Sequence, residues 1–422
     1  MFKGIAKIFS KQNKDLRKRV YFTLFCLGFF AMGIGITIPW ANLNTVYTSL
    51  PFLEIFNLMS GGGLKSFSIF GMGVSPYITA SIITQLLQMD IIPYFKELKE
   101  QGYVGRQKIN KITRYLGIII AFIQAYVISI FYLNSNSAMD MLKISLVMTA
   151  GTAFLLWMGD QISQKGIGNG QSLLIMAGIL MSMPTVFTSA FNTFIHGSFE
   201  AGLGITLFIL FVLSYVLIIV GIIWIQLAER RIPIQYSNRT TSAYGAQQSF
   251  LPIKINSAGV MPVIFASVLT TIPATIVQLT KNEAAIKFVN DYIVYTSPVG
   301  FLIYIILIFV FGYFYTFLSM NPDEMSKNLN KNGGYIPGVR PGEDTSKYIS
   351  KSLSKLTMLG SVFLVILAGL PVVLSLVTKL DSNITIGGTG ILIVVGVAIE
   401  TYKQIESSLT ARSYAARKKR FR

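Results

Sequence analysis

Residue types that carry chemistry are sparse in this 422-residue chain. The one cysteine, Cys26, falls in an apolar run and the one histidine, His196, falls in a predicted loop, so the chain cannot form a disulfide framework or a Cys/His metal site. No phosphate-binding loop of the form GxxxxGK[ST] occurs, and we expect the glycine-rich stretch Gly166–Gly170 to form a tight turn. The sequence therefore predicts a protein that is not an enzyme and that needs no cofactor.

Acidic residues could drive ion-coupled transport if they lay inside apolar runs, but Asp160, Glu229 and Glu400 lie at the ends of such runs. Ionisable groups inside a membrane are costly and usually functional, and a proton or sodium relay depends on them. Their scarcity predicts a passive conduit whose driving force comes from a partner.

The composition indicates a membrane protein with several spans. Hydrophobic residues make up 52% of the chain, charged residues only 13%, and the mean hydropathy is +0.59, which excludes an ordinary soluble domain. Apolar runs of about 20 residues can cross a bilayer as helices. The ten candidate spans are Val20–Trp40, Val74–Ile92, Ile112–Leu133, Ile144–Gly159, Ser172–Ala190, Ile205–Leu227, Val260–Leu279, Val299–Leu318, Leu356–Val377 and Ile384–Ile399.

The basic residues assign the connections between these spans to the two sides of the membrane. All but five of the 36 Lys and Arg residues lie in alternate connections and in the tails, the exceptions being Lys65, Lys143, Lys281, Lys287 and Lys379. The positive-inside rule then places both termini in the cytoplasm. With five spans in each half, the second half is inverted relative to the first, which is a transport architecture.

The predicted fold class is an all-α polytopic membrane protein with ten transmembrane helices in two inverted, pseudo-symmetric five-helix halves. The connection between the halves is interpreted either as a hinge or as a covalent link only. The segments are a cytoplasmic amino tail (1–19), a first half (20–190), the external connection (191–204), a second half (205–400) with cytoplasmic loops (228–257 and 320–355), and a basic cytoplasmic tail (401–422).

The stretch Phe56–Leu87 is the element around which the rest is arranged. Glycines and Pro76 break it into a short piece and a longer one. A backbone broken at membrane depth persists only inside protein or beside a water-filled cavity. We therefore expect a re-entrant piece over Gly61–Phe70 and a helix over Val74–Gln88, lining a pathway. A helix kinked for packing alone is the alternative.

The two long cytoplasmic loops contain Glu229–Asn238 and Asn321–Tyr348, where glycine and proline pairs predict turns that display Arg340. Displayed loops commonly bind partners, whereas basic residues that only fix topology are the alternative. For the cluster Arg417–Arg422 we favour a role in topology, with anionic lipids as a candidate partner.

Seven long motifs, in order along residues 20–415, resemble the bacterial SecY members of the SecY/Sec61-alpha family of protein-translocation channels. They are FNLMSGGGLKSFSIFGMGVSPYITASIITQLL, GRQKINKITRY, TAGTAFLLWMGDQISQKGIGNG, ERRIPIQY, LPIKINSAGVMPVIFAS, GGYIPGVRPGEDT and GGTGILIVVGVAIETYKQIES. The resemblance implies a clamshell of two halves around an hourglass pore, whose outer funnel is filled by a plug. The plug falls on about residues 55–70, matching the re-entrant piece, and its candidate site residues are Ile55, Phe56, Asn57, Leu58, Met59, Ser60, Gly61, Gly62, Gly63 and Leu64.

The resemblance also implies an apolar ring at the waist of the pore, carried over to Val74, Ile78, Gln171, Ile175, Ile264 and Ile393. The i,i+4 spacing of Val74 with Ile78 and of Gln171 with Ile175 puts each pair on one helix face. Gln171 departs from the apolar pattern. It either makes the ring less dry or turns away at the helix start.

A side exit, the lateral gate, is implied between the second and third spans on one side and the seventh and eighth on the other. Thr79 and Ile272 match facing positions, with Thr84, Gln85 and Gln124 near the seam. Polar contacts between helices in lipid contribute only about 0.5 to 2 kcal/mol each, so an easily opened gate is expected.

The partners implied by the resemblance are SecE-like and SecG-like small membrane subunits, the SecA motor ATPase, the ribosome and secretory preproteins with signal peptides. The motor and the ribosome are expected to dock at Arg230, Arg231 and Arg340, and the location is the bacterial plasma membrane. A specialised accessory paralogue, an ion-coupled secondary transporter and a non-conducting scaffold are the competing interpretations. The transporter would need intramembrane charges that this chain lacks.

Overall fold

The structure is a computed structural model that describes residues 14–39, 57–88, 92–132, 138–195, 201–236, 249–280, 282–294, 297–378 and 382–420. It is mostly helical. In chain order the elements are α1 (Lys14–Ile34), α2 (Ser75–Leu87), α3 (Pro93–Glu100), α4 (Tyr103–Tyr132), α5 (Ala138–Lys165), α6 (Gly170–Ile195), α7 (Ala201–Leu227), β1 (Glu229–Tyr236), β2 (Ser249–Lys254), α8 (Met261–Thr280), α9 (Glu283–Tyr292), α10 (Pro298–Ser319), α11 (Pro322–Lys331), β3 (Gly334–Tyr335), α12 (Glu343–Thr378) and α13 (Ser382–Arg420).

Several of these helices can cross a membrane. Six helical stretches in the described part of the chain are long and apolar enough to do so by length and composition. They coincide with the predicted third, fourth, fifth, sixth, eighth and ninth spans. The runs predicted as the first, second, seventh and tenth spans are also helical, in α1, α2, α8 and α13. The prediction of a mostly helical membrane protein with several apolar spans is confirmed.

The chain divides into two compact units, residues 1–205 with 379–422, and residues 206–378. In the first unit α4 packs against α2, α3 and α5, while α6 packs against α1, α5 and α13. The last helix thus belongs by its contacts to the first unit, although the sequence analysis grouped its residues with the second half.

The predicted break before α2 is present. From Ser60 to Val74 the chain runs through consecutive turns, and α2 then begins at Ser75. Pro76 lies in the first turn of α2, where backbone amides have no intrahelical acceptor, so the missing N–H of proline costs no helical hydrogen bond. Gly61, Gly62 and Gly73 adopt positive φ angles of 72°, 86° and 56°, a conformation that glycine reaches without steric cost. The glycines therefore explain why this apolar stretch is not one helix.

The second unit combines the long helices α7, α8, α10 and α12 with a small sheet. Helix α10 packs against α8 and α12, and the strands follow the order β2-β1-β3 with antiparallel pairing throughout. Ile232 of β1, Ile253 of β2 and Leu329 of α11 are buried in one core with the start of α12. The two long loops that were predicted to be cytoplasmic therefore fold together as one module. We call it the cytoplasmic module after that predicted location and define it as residues 229–236, 249–254 and 322–356.

Candidate functional site

A short turn at residues 57–64, the plug turn, is the centre of the candidate site. The Asn57 carbonyl accepts hydrogen bonds from the Gly62 amide (2.8 Å) and the Ser60 hydroxyl (3.1 Å), and the Asn57 Oδ1 atom accepts one from the Lys65 amide (3.0 Å). Leu58, Met59 and Leu64 are buried. The predicted plug residues Asn57 to Leu64 thus form a locally hydrogen-bonded, largely apolar unit, while Ile55 and Phe56 lie outside the described residues.

Three glycines surround the plug turn, one on α6, one on α13 and one in the segment before α2. A Cβ atom at Gly178 of α6 would overlap the Met59 carbonyl, one at Gly390 of α13 would lie 3.2 Å from Leu58 Cδ2, and one at Gly73 would lie 3.4 Å from Ser60 Cα. The Ser182 hydroxyl also donates to the Leu58 carbonyl at 2.9 Å. Because glycine has no side chain, α6 approaches the turn at Gly178 more closely than any other residue would allow, while Gly390 and Gly73 lie in close contact with it.

These glycines connect the plug turn to the predicted ring. Val74 directly follows Gly73, Ile175 lies three residues before Gly178, and Ile393 lies three residues after Gly390. Given the topology predicted from the basic residues, each glycine is on the external side of its ring residue. The first unit therefore brings together, around one turn, three chain segments that carry predicted ring residues. In the predicted topology the ring residues lie on the cytoplasmic side of that turn.

The predicted apolar ring residues are all buried. Val74 is 3% exposed and Ile264 6%, while Ile78, Ile175 and Ile393 are each 7% exposed. Ile264 lies on α8 in the second unit, and the other members lie in the first. Burial is compatible with a closed apolar constriction and equally with ordinary packing, so the ring assignment stays a prediction.

Gln171, the polar member of the predicted ring, lies beside a polar cluster that the sequence analysis missed. Its Cγ atom would be 2.9 Å from a Cβ at Gly159, the residue before Asp160 on α5. Nearby, Arg114 Nη2 of α4 and Asp160 Oδ2 of α5 form an ion pair at 2.6 Å. Asp160 was recognised in the sequence as a charge at the end of a span. Its partner Arg114 lies 46 positions earlier in the chain, and no sequence motif indicated that the two residues would pair.

The backbone after the plug turn is held by a second contact. The Ile38 amide donates to the Phe67 carbonyl at 2.9 Å, and the Ile69 amide donates to the Ile36 carbonyl at 3.0 Å. Phe67 is fully buried with a φ of 45°, a rare conformation for a bulky residue that surrounding contacts must maintain. The segment following α1 therefore anchors the chain between the plug turn and α2.

Enlarging Gly178 tests this geometry. Gly178→Ala is expected to displace the plug turn, because the added methyl group overlaps the Met59 carbonyl, and to increase ion leakage across bilayers that contain the purified protein. Gly221→Ala is the matched control, since a Cβ at Gly221 of α7 meets nothing within 4 Å. Planar-bilayer conductance is the measurement. Equal leakage in the two variants would contradict the proposed contact between the plug turn and α6.

The predicted gate residues lie on helices of both units. Thr79, Thr84 and Gln85 are on α2, where both threonine hydroxyls donate to backbone carbonyls four residues earlier, and Gln124 is on α4, which packs against α2. The Oε1 atoms of Gln85 and Gln124 are buried without a hydrogen-bond partner in the described part of the chain. Ile272 is half-buried on α8 of the second unit.

The predicted docking arginines are all exposed on the cytoplasmic module. Arg231 stacks over the Phe250 ring at 4.8 Å and its Nε atom pairs with Glu229 at 3.0 Å, so its guanidinium is already held, whereas Arg230 precedes it on the same strand. The Arg340 carbonyl accepts from the Thr345 hydroxyl at 2.8 Å, between Gly338 and Gly342 with φ angles of 81° and 102°. The predicted turns therefore present Arg340 on a restrained loop.

Comparison with known proteins identifies the family. The SecY family matches residues 68–402. The protein translocase subunit SecY of Staphylococcus epidermidis is 43% identical over 426 residues, which cover 98% of this chain and 99% of that protein. Such similarity along nearly the whole length includes the segments that carry the plug turn, the predicted ring and the cytoplasmic module.

Solved structures show the same fold at lower sequence identity. A protein-conducting channel aligns with a TM-score of 0.66 and 19% identity over 93% of this chain and 92% of its own. A SecY channel whose plug domain stabilises the closed state aligns over the same shares with a TM-score of 0.65 and 19% identity. Sec61 from a canine ribosome-channel complex aligns over the same shares with a TM-score of 0.61 and 17% identity. The chain therefore belongs to the SecY family of protein translocase subunits.

Proposed function

We propose that this chain forms the pore of a protein-conducting channel, which passes unfolded secretory proteins across the membrane and releases membrane proteins sideways into lipid. The observation that carries the proposal is the 43% identity to a protein translocase subunit over nearly the full length of both chains. The convergence of Gly73, Gly178 and Gly390 on the plug turn supports a closed channel. The protein is a transport protein and not an enzyme.

The proposed architecture has ten spans in two inverted five-helix halves. The helices at all ten predicted positions and the lopsided distribution of Lys and Arg support it. The proposed boundaries are those of the sequence analysis, with halves at 20–190 and 205–400 joined by the external connection 191–204. Both termini then lie in the cytoplasm and the chain resides in the bacterial plasma membrane.

In the proposed resting state, the plug turn and the apolar ring seal the pore in series. An ion must lose its hydration shell to enter an apolar constriction, which costs a large free energy. A narrow apolar ring also excludes water and so blocks ions. The proposed ring consists of Val74, Ile78, Ile175, Ile264 and Ile393. A translocating polypeptide would push the plug turn aside and occupy the ring. Apolar side chains suit this role because they close around any sequence without binding one specifically.

The proposed gate opens between α2 and α4 on one side and α8 and α10 on the other. Two buried amide oxygens, of Gln85 and Gln124, support it. A buried acceptor without a partner costs about 1–3 kcal/mol, so the closed packing around these residues is weaker than an apolar seam would be. A signal peptide that separates the helices would therefore meet a modest barrier.

We propose that the cytoplasmic module docks the ribosome and a SecA motor through Arg230, Arg231 and Arg340. The restrained Arg340 turn and the ribosome-bound state of the similar Sec61 support this assignment. Arginine presents a planar set of donors that matches phosphate and carboxylate groups. SecE-like and SecG-like membrane subunits, secretory preproteins with signal peptides and anionic lipids complete the proposed partners.

Crosslinking tests the proposed path through the pore. A photoreactive amino acid at Ile78 is expected to crosslink to a secretory protein stalled during export in reconstituted vesicles, because the ring must surround the passing chain. The same group at Val220, which is 57% exposed on α7, is the control and is expected to crosslink to lipid. Absence of polypeptide adducts at Ile78, with export otherwise active, would refute the assigned path.

A further inference from the structure

An open groove of about 710 Å³ lies on the cytoplasmic module beside the start of α12. Three lysines and three serines line one wall, at positions that repeat every four residues along the helix: Lys347, Lys351 and Lys355, and Ser346, Ser350 and Ser354. Residues four apart lie on one face of a helix, so the ammonium groups and hydroxyls form a continuous stripe. The groove is distinct from the plug turn, the ring and the three docking arginines.

The charges within this groove favour an anion. Lys347 pairs with Glu343 at 2.8 Å, and the Ser346 hydroxyl donates to Asp323, the acidic residue of the lining. Lys351 and Lys355 have no ion-pair partner among the described residues. The groove therefore has three lysines against the Asp323 carboxylate and the Glu343 that pairs with Lys347, which leaves a net positive charge with serine hydroxyls beside it. Ammonium groups and hydroxyls both donate to phosphate oxygens.

The groove also lies at the boundary between polar and apolar structure. Lys355 is the last charged residue before the uncharged stretch 356–378 of α12. On α10, which carries no charge, Phe317 lines the groove from the last turn, and the Tyr313 hydroxyl donates to the Ser354 carbonyl at 3.3 Å. Aromatic residues at the end of a span and lysines just beyond it are typical of the headgroup region of a membrane.

We propose that this groove binds the phosphate of an anionic membrane lipid, with Lys351 and Lys355 as the principal contacts and Ser350 and Ser354 as hydroxyl donors. A lipid fits better than a soluble phosphate or a nucleic acid because Phe317 lines the groove and the uncharged stretch 356–378 of α12 begins directly after Lys355, so acyl chains can continue along it. The inference depends on the chain lying in a membrane and not on what the channel transports.

Binding of fluorescent phosphatidylglycerol to the purified chain in zwitterionic nanodiscs tests the proposal. Lys351→Gln/Lys355→Gln is expected to weaken binding by roughly 25-fold, since each basic residue near an anionic lipid contributes about fivefold. Lys327→Gln/Lys331→Gln removes the same charge from α11 of the same module, outside the groove, and is the matched control. Equal losses in the two double variants would overturn the proposal, because diffuse attraction would then explain the binding.

A second variant separates shape from charge. Ser350→Phe fills the groove while keeping every lysine, and it is expected to reduce phosphatidylglycerol binding by at least about fivefold, the share of one basic contact. Unchanged binding in this variant would overturn the proposed site. Inorganic phosphate and a short RNA are the competitors. Displacement of the lipid by either at equal concentration would assign the groove to a soluble anion, whereas retention of the lipid supports the proposal.

Discussion

Ile78→Gly/Ile175→Gly is expected to make the resting channel leak ions, with conductance in planar bilayers rising by at least about tenfold, which corresponds to a barrier lowered by about 1.4 kcal/mol. Both side chains are buried in the first unit, one on α2 and one on α6. Their removal widens the proposed constriction and lets water enter. Water then lowers the cost of moving an ion through the ring, and weak signal sequences should also be accepted.

The control for this prediction is Ile119→Gly/Ile209→Gly. These isoleucines are 59% and 61% exposed on α4 and α7, so the substitutions introduce the same helix-weakening glycines without touching the proposed ring. Conductance of the control should stay at the resting value. If both double variants insert normally and conduct alike, Ile78 and Ile175 do not belong to the seal.

A disulfide between Thr79→Cys and Ile272→Cys, in a chain with Cys26→Ser, is expected to stop export almost completely. A disulfide requires Cα atoms within about 7 Å, so the bond can form only if these positions face each other in the closed state. Sideways opening requires the same positions to separate. Export from reconstituted vesicles should therefore fall to background on oxidation and return when a reductant is added.

The single-cysteine chains, treated with the same oxidant, control for damage that does not involve the crosslink. A long flexible crosslinker between the two sulfurs should be tolerated, because it permits the helices to part while keeping them tethered. Efficient formation of the short crosslink together with normal export would show that the gate assigned to α2 and α8 does not open during transport.

Much of this architecture could be predicted because the membrane imposes local rules. Apolar runs of spanning length predicted helices where the structure has them, and glycines with Pro76 predicted the break before α2. The turn over Gly166–Gly170 was also anticipated, with Gly168 at a φ of 85° and α6 beginning at Gly170. Each of these features depends on residues that are close in sequence, so composition and spacing suffice to indicate it.

Contacts between distant residues could not be read in this way. Nothing in the sequence around Gly178 or Gly390 marks either glycine as a neighbour of Leu58 and Met59, because a glycine in an apolar helix is equally compatible with lipid exposure. The ion pair between Arg114 and Asp160 likewise depends on how α4 and α5 pack. The contacts that surround the plug turn are therefore decided by the tertiary structure.

Sequence alone predicted a helical membrane protein with a broken segment, basic connections assigned to one side of the membrane and no catalytic chemistry. The joining of the two loops predicted to be cytoplasmic is seen only in the folded chain, where Gln235 of β1 lies opposite Tyr335 of β3 and the loops share a core around Ile232 and Leu353. Strand pairing across about a hundred residues is decided by backbone hydrogen bonds and by the burial of apolar side chains. Each of these side chains stands between polar neighbours, so the local sequence does not indicate its pairing partner. Periodicity reports which face of an element is apolar, whereas the partner of that face is decided by packing.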